Sequence, residues 1–157
     1  MAVPLDLSNR VSPEDYFEWE EAHDAKHEYV AGWIFAVPEA DVRHCLITGE
    51  IYGELREQLR RTRNILYGSR FKLRIRRGEE EYYYYPDAIV HSAGLPGDAM
   101  FCEHPVVLFE VSLPSTKRTD RTEKWAIYQT IPSLQVYVIV DAARLACLLY
   151  TSPSPRD

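Results

Sequence analysis

The chain is short of cysteine, of long apolar runs and of basic charge, and each shortage removes a class of protein. Its three cysteines, Cys45, Cys102 and Cys147, are odd in number and far apart, so they build neither a disulfide framework nor a four-ligand zinc site. Reduced, packed thiols are the reading. No apolar stretch approaches the roughly 18 residues of a membrane span. The start Met1-Ala-Val-Pro-Leu-Asp6 lacks the charged-then-apolar pattern of a secretion signal. The expected location is therefore the cytoplasm, with no membrane partner. Lysine and arginine number 18 against 24 aspartates and glutamates, a net charge of -6, which disfavours indiscriminate binding to nucleic acid.

What remains is the composition of a folded protein: 157 residues, 46% hydrophobic and 12% aromatic, without repeats. That is enough for one full core and too little for two ordinary domains. Charge is uneven along it. Between Arg56 and Arg77 nine basic residues face the single acid Glu57, so one face is expected to be locally cationic, with Arg74 and Arg76 on a strand as candidate phosphate contacts.

Ser12-Pro13-Glu14-Asp15 has the cap, the N1 proline and the early acids of a helix start. His27 to Val37 reads as a hairpin turning at Ala31-Gly32, with Glu28 in its first strand. From His44, Ile47, Ile51, Leu55 and Leu59 recur every four residues, the stripe of an amphipathic helix to about Arg61. Phe71, Leu73 and Ile75 alternate with cations as in a half-wet strand. A tyrosine-rich strand over 82–90 follows, made irregular by Pro86.

Two carboxylates carry the chemistry. Asp87 follows that proline, and Glu110 sits inside the apolar run Pro105-Val-Val-Leu-Phe-Glu-Val-Ser112. A carboxylate in a buried strand needs a cation or donors to offset its desolvation. Two such groups on neighbouring strands would repel unless a hard divalent cation took oxygens from both. Metal-assisted phosphodiester hydrolysis is the chemistry this suggests. After a polar crossover at 113–120, Lys124, Ile127, Tyr128 and Ile131 share one helix face, which turns Lys124 toward the sheet. Strand, helix and strand at 105–140 imply a parallel pair, hence an α/β class.

The ordered set His27-Glu-Tyr-Val-x-Gly32, a helix opening at His44, Tyr85-Pro-Asp87, Glu110-Val-x-x-Pro-Ser-Thr116, Asp120-Arg-x-Glu-Lys124, Tyr128 and Val136-Tyr-Val-Ile-Val-Asp141 resembles the Uma family of endonucleases. That family is a bacterial branch of the PD-(D/E)XK restriction-endonuclease-like superfamily. The resemblance implies a restriction-endonuclease-like core, a mixed β-sheet flanked by helices, spanning residues 1–147. It further implies a site in which Asp87, Glu110 and the Val111 carbonyl hold Mg²⁺, or Mn²⁺, for cleavage of DNA. Ser112 stands where the superfamily usually has its lysine, and Lys124 matches the position from which other branches supply it. Glu28 and His44 match positions that would support the site, and Ser115 and Thr116 could contact a phosphate. A homodimer would suit cleavage of two strands. The rival reading is a catalytically silent nucleic-acid-binding or regulatory module on the same fold. The ending from Leu148 to Asp157 resembles translated sequencing-adapter sequence and is read as a non-native or disordered tail.

Overall fold

The computed structural model describes residues 9–144 and 146–151; the readings of Met1 to Asp6 and of 152–157 lie outside them. In chain order the elements are α1 (Pro13–Glu21), β1 (His27–Val30), β2 (Trp33–Ala36), α2 (Val42–Leu59), β3 (Ile65–Gly68), β4 (Lys72–Arg77), β5 (Glu80–Tyr84), β6 (Ala88–His91), β7 (Phe101–Cys102) and β8 (Pro105–Ser112). A helical crossover follows, α3 (Lys117–Thr119), a π-helical turn (Asp120–Lys124) and α4 (Trp125–Tyr128), then β9 (Val136–Asp141) and β10 (Ala146–Thr151). None of the described helices is long and apolar enough to cross a membrane.

The strands form two five-stranded sheets, ordered β2-β1-β5-β4-β7 and β10-β9-β8-β6-β3. Each is mixed, with one parallel pair, β4 with β7 and β8 with β9. The second pair is the parallel crossover expected from the sequence. The continuous strand expected over 82–90 is instead two strands in different sheets. β5 ends at Tyr84, and the chain passes through Tyr85-Pro86-Asp87 into β6. Proline cannot donate to a ladder, so the switch falls where pairing is already broken.

Alternation sorts the tyrosines. Tyr82 and Tyr84 join Leu73, Ile75, Ile89, Leu108, Tyr128, Tyr137 and Ile139 in the main core between sheets and crossover. Tyr83, pointing the other way, packs with Tyr16, Tyr29 and Ile34 under α1. The α1 start is as read, with Ser12 Oγ accepting from the Asp15 amide at 3.1 Å. In the β1–β2 turn, Ala31 has φ +47° and Gly32 φ +99°, a left-handed pair that favours glycine.

Helix α2 forms where its stripe predicts, yet Ile47, Ile51, Leu55 and Leu59 are only half-buried, because the helix covers β3 and the end of β8 from outside the main core. The tail reading needs a correction at its boundary. Leu148 to Thr151 pair antiparallel with β9 as the second sheet's edge, so these residues are strand and not disordered chain. Leu148, Leu149 and Tyr150 are consecutive and run into a Ser-Pro stretch, so no period-two signal marks the strand.

Candidate active site

Sheet switching positions the first acid. Asp87 lies one residue beyond the Ala88–Phe109 pair of β6 and β8, beside Glu110, at a separation that in antiparallel strands is roughly 4.5–5.5 Å between Cα atoms. The Val111 amide donates to Asp87 Oδ2 at 2.7 Å. His44, in the first turn of α2, brings Nε2 to 3.2 Å from the same carboxylate. That turn is fixed by Asp41, whose side chain accepts from the His44 amide at 2.8 Å. The hydrogen bond to Asp87 raises the His44 pKa against the opposing effect of burial, so His44 serves as a donor to Asp87.

Lys124 comes from the crossover. The π-helical turn has Asp120 and Lys124 at its ends; such widened turns recur at functional sites. The Lys124 ammonium lies 3.0 Å from Glu110 Oε1, 3.0 Å from Glu28 Oε1 and 3.6 Å from Asp120 Oδ1, with the Tyr84 ring 5.7 Å away. Tyr128 donates its hydroxyl to Glu110 Oε1 at 2.9 Å. Ser112, at the position where a lysine is usual, donates to Asp120 Oδ2 at 2.6 Å. Thus the fold brings the side chains of Asp87, Glu110, Lys124, Glu28 and His44 together.

Asp120 and Tyr128 were not assigned a role from sequence. The signal was available: they stand four residues before and four after Lys124, on the same helix face. The distant anchors carried no such signal. Glu20, buried in α1, accepts from the Tyr85 hydroxyl at 2.7 Å and from the His27 amide at 3.1 Å, which pins the residue that begins the sheet switch.

Three carboxylates, Glu28, Glu110 and Asp120, surround one lysine, with Asp87 beside Glu110, and Glu110 and Lys124 are only 4% and 7% exposed. Burial pushes Glu110 well above the ordinary carboxylate range; Lys124 pulls it back, and Asp120, Asp87 and Glu28 push it further up. Burial opposes the charge on Lys124, but Glu110, Glu28 and Asp120 outweigh it and hold the ammonium protonated. The cluster is therefore short of positive charge.

A divalent cation fits that deficit. Among the described residues no three His, Cys, Asp or Glu side chains form a preformed cage, since Lys124 fills the space between Glu28 and Glu110. Mg²⁺, however, is commonly held by only one or two carboxylates together with water and substrate phosphate. Among the described residues the side-chain donors to Glu110 both reach Oε1, which leaves Oε2 outside those bonds. The Val111 N–H points toward Asp87, and the carbonyl of a strand residue points to the same neighbour as its N–H.

Other candidates lie apart. Arg74 is paired with Glu81 at 2.7 Å and stacks on Phe101, and Arg76 is paired with Glu103 at 2.9 Å. Both are on the α1 face of the first sheet, opposite Glu28 and Tyr84, so the structure does not bring them to the acids. Changing Arg74 and Arg76 together to Gln is expected to leave nucleic-acid affinity and its salt dependence unchanged. The same change should lower stability by about 1–2 kcal/mol through loss of the half-buried pair, a contrast that salt titration and thermal unfolding together would check. Thr116 Oγ1 accepts from the Leu113 amide at 3.1 Å, a local turn bond, although it and exposed Ser115 line the cleft mouth. Lys117 is paired with Asp141 at 2.8 Å, leaving Lys124 as the lysine at the acids.

The acids lie at the bottom of a cleft of about 1360 Å³ walled by the β1–β2 hairpin, the first half of α2 and the crossover. The chain is similar to a crystal structure titled as a "putative nuclease belonging to DUF820" from Anabaena variabilis, with a TM-score of 0.74, 15% identity, and 90% of this chain and 80% of that one covered. The likeness shows that the two chains share one α/β fold. Two Synechocystis proteins described as uncharacterised are also similar. One is 31% identical over 94% of this chain and 77% of its own length. The other is 28% identical over 81% and 72%. The model of the Uma2 family, described as "Putative restriction endonuclease", matches residues 13–156. With that match covering nearly the whole chain, including both acids and Lys124, the protein belongs to the Uma2 family.

Proposed function

We propose that this chain is a metal-dependent endonuclease that hydrolyses phosphodiester bonds of DNA. The observation that carries the reading is buried Lys124, 7% exposed and bonded through its ammonium to Glu110 beside Asp87, at the floor of an open cleft. A lysine so deeply buried among carboxylates gains nothing for the fold that apolar packing would not supply. It is well placed for charge that develops on a phosphate.

Asp87, Glu110 and the Val111 carbonyl would hold Mg²⁺ or Mn²⁺. When bound, such an ion lowers the pKa of water and stabilises charge on the scissile phosphate. The protein's own groups do the rest. His44 and the Val111 amide fix the Asp87 carboxylate, and Tyr128 fixes Glu110 through Oε1. Glu28 and Asp120 hold Lys124 charged and aimed at the phosphate position, where preorganised positive charge favours the transition state.

The test is incubation of the purified chain with supercoiled and linear DNA in Mg²⁺, in Mn²⁺ and in a chelator. Nicking or linearisation that needs the metal is expected. DNA binding without cleavage in either metal would sink the nuclease reading and favour the catalytically silent module.

A further inference from the structure

Trp33 and Phe35 are the two large side chains of β2 that the architecture leaves unexplained. They alternate with Ile34, which enters the α1-side core, and they themselves belong to neither apolar core. Both are half-buried and line the cleft. Strand β2 is the edge of its sheet. Its register sets Phe35 opposite Glu28 and Trp33 opposite Val30, so the two rings share the face that carries Glu28, whose carboxylate touches Lys124 at 3.0 Å. The two rings therefore form a row along the sheet edge, with Phe35 beside Glu28.

We infer that this row is a stacking platform for the bases of an unpaired DNA strand, so that the enzyme's substrate is single-stranded DNA or a single-stranded stretch in a larger molecule. The inference rests on the nuclease reading above and specifies its substrate. Side chains two apart on a strand are about 6.7 Å apart along it, twice the 3.4 Å rise per nucleotide of a stacked duplex. The two rings cannot follow neighbouring bases of a duplex. They can take neighbouring bases of an extended strand, as aromatic residues on sheet faces do in single-strand binders.

Charge weighs more heavily against a duplex, with one phosphate per about 1.7 Å of axis, than against a single strand. Arg10, Lys26, Arg70 and Lys124 face seven carboxylates along the cleft, and Lys26 is already bonded to the Ser69 carbonyl at 3.1 Å. Arg74 and Arg76 are on the other face of the sheet. Grip on a duplex comes mainly from many phosphate contacts, which this surface does not supply. Base stacking is sequence-tolerant and adds about 1–3 kcal/mol per base, so a stacked strand needs fewer of them. Access agrees as well: Glu110 and Lys124 are 4% and 7% exposed, beneath a cleft larger than the roughly 300–1,000 Å³ of a small-molecule pocket. A strand freed from its complement bends its phosphates toward that floor more readily than a stiff duplex does.

The experiment measures fluorescence anisotropy of a labelled DNA strand, of the same strand in a duplex, and of the same sequence as RNA, each titrated with the full chain in a chelator at several salt concentrations. The single DNA strand is expected to bind at least about tenfold more tightly than the duplex, with a salt slope of no more than about two phosphates. Trp33→Leu with Phe35→Leu should weaken single-strand binding by about tenfold or more with an unchanged thermal midpoint, while Trp33→Phe with Phe35→Tyr retains it. Equal or tighter duplex binding, recognition of RNA alone, or a strand preference indifferent to the leucine pair would overturn the inference. So would self-association of the chain that protects Trp33. Cleavage with Mn²⁺, scored on the same molecules, separates the two readings. Ring-dependent strand binding without cleavage would leave the platform standing and sink the nuclease. Duplex cleavage at full rate by the leucine pair would do the reverse.

Discussion

Lys124→Met is expected to unfold roughly 10 °C below the native chain and to lose cleavage by at least about 10²-fold. The first effect follows from burial. Removing one partner from a buried ion cluster leaves charge unpaired and costs about 3–5 kcal/mol, and in a domain of this length each kcal/mol moves the midpoint by about 2–4 °C. Here the unpaired groups are Glu110 and Glu28, each 3.0 Å from the ammonium. Glu110 has an escape, because protonation removes its charge. Its pKa, already raised by burial, would rise further without the lysine. The deficit should therefore be smaller at mildly acidic pH than at pH 8, read by thermal unfolding across that range. The second effect follows from the place of the ammonium beside the acids, since deleting one preorganised group at developing charge costs about 10²–10³ in rate. Lys117→Met, which breaks the half-exposed pair with Asp141, should lower stability less and keep turnover. Full turnover in Lys124→Met with Lys117→Met inactive would transfer the role to the crossover's first turn.

Mn²⁺ binding should tighten as pH rises, and Asp87→Asn should weaken that binding by about 10–100-fold or more. Only the ionised carboxylate is a ligand. Burial, with Asp120, Asp87 and Glu28 adding to it, holds Glu110 above the ordinary carboxylate range, so metal and proton compete for it over a higher pH range than for an exposed carboxylate. The sign for the metal-free fold follows from the same shift. A carboxyl group with a raised folded pKa binds more protons folded than unfolded, so its contribution to stability is present below the ordinary range and is lost as pH rises through the folded pKa. Bound metal should cancel that loss. Calorimetry across a pH series measures the competition; Glu110→Gln should weaken binding and flatten its pH dependence, and native affinity in Glu110→Gln would remove Glu110 from the ligand set.

These contacts were unequally legible in the sequence. Asp87, Glu110 and Lys124 stood out because each violates its local pattern: an acid after a strand-breaking proline, an acid in an apolar strand, a lysine on an apolar helix face. The same logic placed Ile47, Ile51, Leu55 and Leu59 on one helix face but not at a depth, because periodicity gives direction and packing decides burial. Alternation rightly set Arg74 and Arg76 on one side of β4. Which side faced the acids depended on Glu103, 27 residues from Arg76, and on α1 folding beneath it. The sheet switch at Tyr85-Pro86-Asp87 hid among four consecutive tyrosines, where inward and outward residues look alike. The π-helical turn at Asp120–Lys124 has no residue signature at all. It is held from outside by the Tyr137 hydroxyl, which donates to the Asp120 carbonyl at 3.0 Å.

The most direct measurement is the single-turnover rate of strand cleavage by the native chain and by Glu110→Gln, purified in parallel and assayed with Mn²⁺. Glutamine keeps the size of the side chain and can still accept from Tyr128, so the comparison isolates the charge that would hold the ion and face Lys124. A rate at least about 10²-fold lower for Glu110→Gln, with an intact fold and retained strand binding, is the predicted result. Equal rates in the two preparations would contradict it.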